Sequence, residues 1–386
     1  MSKLLYLKEK SFLLGLPWQK VQRPFVRWFA PKPLHIMFLY VDHFEPWEDT
    51  QNPEIAQKRV SNWLEKYPEL ALKHQDSFGN HPKHTWFYLV ENWQNQKYDA
   101  RFLKQLSMLC FQELGEIELH IHHGISENSI FSEVNDSESL NRHIETLKNF
   151  YNRFGALITA ESPPRTAYGF IHGKWALDNS MGGKYCGVND ELRILKETGC
   201  YADFTMPSGI QSQSRKINAL YYAVDDPVKP KSYNTGISMK KGRKESGDLL
   251  MFTGPVDLYW KNIFTKHSII EKANLDEKDL PFEYRIRRWI STGIHVSGKP
   301  EWIFIKVHTH GARETSAAVS YGSWADKMFT YLEKNYRDGE HYQLHYVSAR
   351  EAYNIAKAAE AGMEGNPEEY RDFVIKPYKN MREKVK

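Results

Sequence analysis

Cysteine is scarce in this sequence of 386 residues, which contains only Cys110, Cys186 and Cys200. No two of them have the CxxC spacing of thiolate metal sites, and an odd number cannot all pair. We therefore expect neither a disulfide framework nor a thiolate zinc site, and we predict a reducing compartment.

The sequence also lacks an apolar run of the roughly 20 residues that a membrane-spanning helix requires. The stretch FLLGL at 12–16 is too short for the core of a signal peptide. These absences predict a cytoplasmic protein. Residues 1–33 mix Lys and Arg with Leu, Phe and Trp, so they predict either a helix packed on the domain or a peripheral contact with a membrane or partner.

An excess of one charge is missing as well, because 52 basic and 48 acidic residues give a net charge of +4. This balance, without a concentrated basic face, argues against a nucleic-acid partner. The nucleotide-binding patterns GxGxxG and GxxxxGK[ST] are also absent. Hydrophobic residues make up 41% of the chain and charged residues 26%, which is typical of a packed globular protein.

The chain does contain a regular alternation of buried-strand and amphipathic-helix patterns. The order βαβαβαβαβ predicts a parallel sheet with right-handed crossovers. We predict an α/β fold, a distorted (β/α) barrel of about seven parallel strands, with Gly115 as the C-cap of the second helix. Predicted strands lie at 34–41, 83–92, 116–124, 166–173, 200–207 and 301–311, and predicted helices at 52–75, 99–115, 136–155, 189–199, 282–293, 323–336 and 349–362.

The expected domain organisation is simple, because no internal repeat or flexible linker divides the chain. We predict an N-terminal extension at 1–33, a single barrel domain at 34–362 and a C-terminal tail at 363–386. The alternation breaks at about 208–300, which we interpret as an insertion in the barrel.

The third predicted strand carries the stretch ELHIHHG at 118–124, with three histidines in four positions. Side chains at i and i+2 of a strand share a face, so His120 and His122 point the same way and His123 points oppositely or begins the loop. Two neutral imidazoles on one buried face need a partner, and a divalent cation, Zn²⁺ by ligand type, meets that need. Glu118 has the same parity and is a ligand, an acceptor for an imidazole N–H or a surface residue.

Further polar residues follow the carboxyl ends of other predicted parallel strands. The ends of such strands meet at one edge of the sheet, where ligands bind in α/β folds, so we expect one pocket to collect these side chains. They are Asp42, His43 and Glu45 after the first strand, His172 after the fourth, and His308 and His310 on the late strand.

These residues resemble the polysaccharide deacetylase superfamily, which includes carbohydrate esterase family four. The resemblance spans residues 34 to about 360 in the order of elements. YVDHFEP at 40–46 is similar to the family's Asp-Asp motif, ELHIHHG to its paired-histidine motif, and FIKVHTHG at 304–311 to its last motif. The family's arginine motif has no match; FIHGKWALDNS at 170–180 takes its place.

The resemblance implies a metal-dependent deacetylase that removes an acyl group, N-acetyl above all, from a sugar or nucleotide sugar. It places Asp42 as general base, His308 as general acid, and His43 with His120 and His122 as metal ligands. Asp42 itself and Glu45 are alternatives to His43 as the first-strand ligand. HGKWALDNS at 172–180 and HYVSAREAYNIAKAAE at 345–360 look most like bacterial proteins associated with surface-polysaccharide biosynthesis.

A substrate would be bound by an apolar ring and by side chains that bond its hydroxyls. We predict that this set comprises His172, Trp175, Asp178, Asn179, Asp203 and His310. Packing is the alternative for Trp175, and capping of the next turn for Asp178 and Asn179. Two other functions stay open: a metal-independent glycoside hydrolase using carboxylates such as Asp42 and Asp203, and a non-catalytic barrel that binds carbohydrate or a partner.

Overall fold

The structure is a computed structural model, and it describes residues 14–124, 133–209, 211–258 and 270–385. Part of the predicted N-terminal extension, residues 1–13, lies outside the described residues, as do residues 125–132, which follow ELHIHHG.

Strands form where apolar and β-branched residues run continuously, and helices form where apolar residues recur at helical spacing. Strands β1–β13 span Leu34–Phe44, His84–Leu89, Gly115–Ile121, Tyr168–His172, Cys200–Asp203, Ala219–Ala223, Ile237–Ser238, Leu249–Thr253, Asp257–Leu258, Ile270–Glu271, Asn274–Leu275, Trp302–Thr309 and Tyr342–Tyr346. Helices α1–α10 span Leu16–Trp28, Pro53–Ala71, Gln96–Phe111, Ser137–Asn152, Glu191–Glu197, Glu283–Ser291, Ala317–Ser320, Ser323–Tyr336, Ala349–Ala361 and Lys379–Arg382.

One large, mostly parallel sheet organises the molecule, in the order β11-β12-β1-β2-β3-β4-β5-β8-β6-β7. The long strand β1 is its centre. One edge of β1 pairs with β12 over eight residues, while the other edge pairs first with β13 and then with β2. These five strands, β1, β2, β3, β4 and β12, are parallel. Their carboxyl ends therefore lie together at the same end of the sheet.

A mixed α/β fold is thus confirmed, but the finer prediction of a barrel of about seven parallel strands is not. The sheet has eleven strands, and β6 is antiparallel to both β7 and β8. Among the described residues no ladder joins β7 to β11, so the sheet is not shown to close. The segment interpreted as an insertion supplies β8, which pairs in parallel with β5 and extends the sheet.

Side chains alternate between the two faces of the sheet, and each face has its own core. Along β1, Ile36, Phe38 and Tyr40 belong to one hydrophobic cluster, which the helices α2, α3, α4 and α8 cover. Met37, Leu39 and Val41 belong to the other, which α9 covers. We call these the outer face and the inner face; His43 continues the parity of the inner face and Asp42 that of the outer face.

Helix ends follow local rules in most places. Asp136 accepts a hydrogen bond from the Ser139 backbone N–H and caps α4. The predicted C-cap role of Gly115 is wrong, because α3 ends at Phe111 and Gly115 is the first residue of β3. A side chain there would collide with the His84 carbonyl oxygen, so strand pairing with β2 requires glycine.

The predicted extension contains α1, which is anchored to the domain by Arg27, whose guanidinium donates to the Ile290 carbonyl oxygen at 3.0 Å. Its other side carries exposed aromatic rings, including Trp18 and Trp28, at 68% and 82% exposure. Within the described ranges, no helix is both long and apolar enough to cross a bilayer.

We predict that Gly115→Ala destabilises the protein by about 1–3 kcal/mol, because the added methyl group collides with the β2 backbone and the Trp86 ring. Chemical denaturation measures this loss. Gly15→Ala is the matched control, since nothing lies within 4 Å of a side chain there. Equal stability of the two variants contradicts the prediction.

Candidate metal centre

Three ligand atoms converge on the inner face at the carboxyl ends of β1 and β3. Glu45 Oε1 lies 3.0 Å from His120 Nε2 and 3.3 Å from His122 Nε2. The two imidazole nitrogens are 3.2 Å apart. Bonds of about 2.0–2.1 Å to a tetrahedral ion place ligand atoms about 3.3 Å apart, so this triangle fits three of the four positions around Zn²⁺. We call it the open centre.

The ring of His120 is oriented from behind by the backbone. Its Nδ1 lies 2.8 Å from the Ile171 carbonyl oxygen, and only a protonated Nδ1 donates there. A neutral ring then presents the Nε2 lone pair to Glu45 and His122, as a metal-ligating histidine does. A divalent cation between the three atoms would be bound by this lone pair and by the Glu45 carboxylate.

His122 occupies space that exists only because residue 173 is glycine. A side chain on Gly173 would overlap Cδ2 of the His122 ring. The imidazole of His122 is half-buried, whereas His120 and Glu45 are buried. His122 is thus the ligand nearest to solvent.

Glu45 is held by the turn that follows β1. Arg59 on α2 donates to the carbonyl oxygens of Pro46 at 3.0 Å and Glu48 at 2.6 Å. The same guanidinium bonds both carboxylate oxygens of Glu314 at 3.0 Å. Arg59 therefore fixes the backbone on which Glu45 stands and ties it to the segment after β12.

Further histidines surround the open centre. His43 stacks on His310 with ring centroids 4.7 Å apart, and its edge meets His120 at 5.0 Å. Nitrogens of His43 and His310 lie close enough to Glu45 to form a second possible ligand group with it. The ring of His308 is 6.4 Å from His43.

Of these residues, His308 and His310 line a cleft of about 890 Å³. Trp175 also lines it, 5.4 Å from His43 and 5.7 Å from His310. Side chains of both charges line the remainder, among them Glu271, Lys272, Asp279 and Arg313. The cleft has the size of a small-molecule site and a polar lining with one aromatic plate.

Burial sets the protonation of this region. It lowers the pKa of His43 well below its ordinary value, and the nearby His310 adds to the effect. Burial also lowers the pKa of His122. The pKa of Glu45 would be raised by burial, but His122 and His120 hold it well below its usual range. Neutral imidazoles around one carboxylate are the protonation states that bind a divalent cation.

Asp42, predicted as the general base, is not brought to this centre. It lies on the outer face, where Oδ1 accepts the Gly311 backbone N–H at 2.6 Å and Oδ2 lies 2.9 Å from His84 Nε2. Adjacent residues of a strand face opposite ways, so His43 and Asp42 cannot serve one inner-face site together. Asp42 instead ties β1 to the turn after β12.

Glu118 is not a ligand either, although it shares the parity of His120. Its carboxylate accepts the Gly169 backbone N–H at 2.6 Å and the hydroxyls of Tyr201 at 2.6 Å and Tyr378 at 2.9 Å. Burial and the charge of Glu116 raise the pKa of Glu118 to about 8. It belongs to a buried hydrogen-bond network, two residues before His120 on β3.

Most of the side chains predicted to contact substrate form hydrogen bonds within the protein instead. Asp178 accepts the Ser232 backbone N–H at 2.6 Å, and Asn179 accepts that of Gly183 at 2.6 Å. Asp203 accepts from the Thr205 hydroxyl at 2.6 Å. Among the residues predicted to bind substrate, Trp175 and His310 line the cleft, and neither Asp178, Asn179 nor Asp203 does so.

His172 lies on the outer face, away from the open centre. There it joins His123, Cys186 and Glu191 in a second buried set whose ligand atoms lie close enough together to hold a metal ion. The parity argument separates His123 from His120 and His122 correctly, but it gives no hint that His123 has partners of its own. The sequence does not single out Cys186 or Glu191, because Cys186 lies in a loop and Glu191 begins α5.

Glu91, just after β2, is another residue that the sequence does not single out. Burial and the charges of Glu45 and Glu48 raise its pKa to about 7, and Oε2 has no hydrogen-bond partner in the described part of the chain. A carboxyl group that titrates near neutral pH is suited to proton transfer. Its position at the carboxyl end of a parallel strand was the available signal.

Comparison with known proteins does not identify the chain. No protein-family model matches it. A similarity exists to outer surface protein B of Borreliella burgdorferi, with 24% identity over 159 residues, which are 40% of this chain and 53% of that protein. The chain thus spans about half the length of this relative. At this identity and coverage the similarity assigns no family and does not bear on the deacetylase resemblance.

We predict that Gly173→Ala weakens metal binding about 10–100-fold, because the methyl group displaces the His122 ring from the ligand triangle. Competition with a chelator of known affinity measures the effect. Gly15→Ala, which adds a methyl group into open space, is expected to bind metal like the wild type. Unchanged affinity in Gly173→Ala would show that His122 does not bind the metal.

Proposed function

We propose that the protein is a metal-dependent hydrolase that removes an acyl group, N-acetyl above all, from a sugar or sugar-containing intermediate. The observation that carries the proposal is a three-ligand centre of Glu45, His120 and His122 beside a cleft with an aromatic plate. Catalytic zinc sites have three protein ligands and an open position, whereas structural sites have four. The motif resemblance to polysaccharide deacetylases supports the same reaction class.

A Zn²⁺ ion held by these three ligands would supply an activated water and polarise the acyl carbonyl. The protein must supply the proton transfers and the orientation of the sugar. His120 stays in the required tautomer through Ile171, and Arg59 keeps Glu45 in place. Both ligands are therefore positioned before substrate arrives.

We assign the proton transfers to His308 and His310, which line the cleft beside the centre. His308 Nδ1 is buried without a hydrogen-bond partner among the described residues. Burial and nearby Lys306 hold the pKa of His308 well below its ordinary value, so it starts neutral. A neutral imidazole can accept the proton of the attacking water and return it to the departing nitrogen. This assignment replaces Asp42 as the base.

Trp175 is the proposed plate for a sugar ring, since it lines the cleft and lies next to His43 and His310. Lys272 along the wall is suited to a phosphate of a nucleotide sugar or glycolipid, whereas Arg313 is already paired with Glu48. A role in surface-polysaccharide metabolism rests on the resemblance of the sequence motifs.

The glycoside-hydrolase alternative is not favoured. It requires two carboxylates on either side of a substrate, and Asp42 and Asp203 are both buried and hydrogen-bonded within the protein. It also leaves the histidine ligands without a role.

We predict that the double variant His120→Ala, His122→Ala loses about one equivalent of metal per chain and at least about 100-fold in kcat/KM. Elemental analysis measures the metal, and acetate release from a panel of N-acetylated sugars and nucleotide sugars measures activity. His341→Ala, which removes an exposed ring, is the control. Equal metal in wild type and double variant contradicts the metal centre; full metal without acetate release contradicts the deacetylase reaction.

We predict that Asp42→Asn retains kcat within about threefold, while losing about 1–3 kcal/mol of stability. The amide oxygen of the substituted side chain would still accept the Gly311 N–H, and His84 can move its proton to the unpartnered Nδ1. If Asp42 is the general base, the same variant loses about 10²–10⁴ in kcat. Steady-state kinetics below the melting temperature decide between the two.

A further inference from the structure

The second set of ligand atoms is fully buried on the outer face, behind the strand that carries the open centre. His123 Nε2 lies 3.0 Å from His172 Nε2 and 2.9 Å from Glu191 Oε1. His172 Nε2 lies 3.4 Å from the same oxygen, and Cys186 Sγ lies 3.4 Å from Glu191 Oε2. All four side chains are buried.

Both imidazoles present lone pairs to this point. Nδ1 of His123 lies 3.1 Å from the Val134 carbonyl oxygen, and Nδ1 of His172 lies 2.6 Å from that of Gly173. Each Nδ1 must donate there, so each Nε2 is without a proton when its ring is neutral. Two lone pairs 3.0 Å apart, with a carboxylate oxygen beside them, repel one another unless a cation lies between them.

A proton satisfies one such contact, but four ligand atoms call for a metal. A divalent cation with one thiolate, one carboxylate and two neutral imidazoles has no net charge, which suits a fully buried position. Nitrogen, oxygen and sulfur ligands together, in a four-coordinate arrangement, favour Zn²⁺. The Asn179 backbone N–H lies 3.3 Å from Cys186 Sγ and would support a thiolate.

The surrounding loop is shaped to bring Cys186 and Glu191 to the histidines. A side chain on Gly124 would lie 2.7 Å from the Cys186 backbone nitrogen, so the chain after His123 touches the Cys186 peptide directly. The Asp178 backbone N–H donates to Glu191 Oε2 at 2.6 Å and leaves Oε1 for the two imidazoles. Asp178 and Asn179 both adopt left-handed backbone conformations in this loop.

A third group of possible ligands, formed by Asp76, His345 and Glu368, is not proposed as a metal site. It already holds a cation, because Arg371 lies 3.2 Å from Asp76 Oδ2 and 2.9 Å from Glu368 Oε2. No arginine or lysine contacts the four ligand atoms of the second set within the described residues.

We propose that His123, His172, Cys186 and Glu191 form a structural zinc site, closed by four protein ligands, that is separate from the open centre. Its role is to fix the segment 172–191 against the end of β3. That segment carries Trp175 into the cleft. The proposal does not depend on the reaction assigned to the open centre.

Cobalt substitution of the full-length protein tests the proposal, because only the second site contains sulfur. We expect two equivalents of Co²⁺ per chain and a near-ultraviolet thiolate-to-cobalt charge-transfer band in the wild type. A wild type that binds cobalt without this band overturns the proposal and leaves a proton-linked cluster. This measurement requires no variant to fold.

Variants then locate the band. Cys186→Ser is expected to lose the band and about one equivalent of metal, whereas Cys200→Ser, another buried free cysteine, keeps both. The double variant His120→Ala, His122→Ala is expected to lose one equivalent of metal but keep the band. Loss of the band in the double variant, or its survival in Cys186→Ser, overturns the assignment. Failure of the open centre alone would instead remove activity and leave the band intact.

Discussion

Imidazole nitrogens that face one another beside buried carboxylates are the constraint around which this molecule is arranged. Burying a polar atom without a partner costs about 1–3 kcal/mol, and the cost grows when the neighbouring atom carries the same partial charge. Here two pairs of imidazole nitrogens meet at 3.0 Å and 3.2 Å, each beside a carboxylate. Backbone carbonyls hold three of these four rings in the orientation that makes the contact.

The alternation of one short strand distributes these contacts. The end of β3 sends His120 and His122 to the inner face and His123 to the outer face. Each face then draws its remaining ligands from different elements: Glu45 comes from the end of β1, whereas Cys186 and Glu191 come from a loop and the first turn of α5. The two sets differ in completeness as well, with three ligands beside a cleft on one side and four enclosed ligands on the other.

Sequence patterns predict well those features that depend on local periodicity. The strand with LHIMFLYV, the helix Ser323–Tyr336 and the pairing of His120 with His122 on one face follow from spacing alone. Features that depend on long-range packing do not. The CxxC rule cannot detect a cysteine whose neighbours in space lie 5, 14 and 63 residues away in sequence, at Glu191, His172 and His123. Asp42 and His43 are adjacent on a strand, which predicts that their side chains lie on opposite faces of the sheet. The motif resemblance nevertheless placed both residues in one site.

Residue 173 stands between the two sets of ligands. The absence of a side chain on Gly173 makes room for the His122 ring, and its carbonyl oxygen accepts the proton of His172 Nδ1. The α-carbon of Gly173 therefore lies against the open centre. The carbonyl oxygen of the same residue contacts the second set of ligand atoms. Any shift of this backbone segment therefore changes the surroundings of His122 and of His172 together.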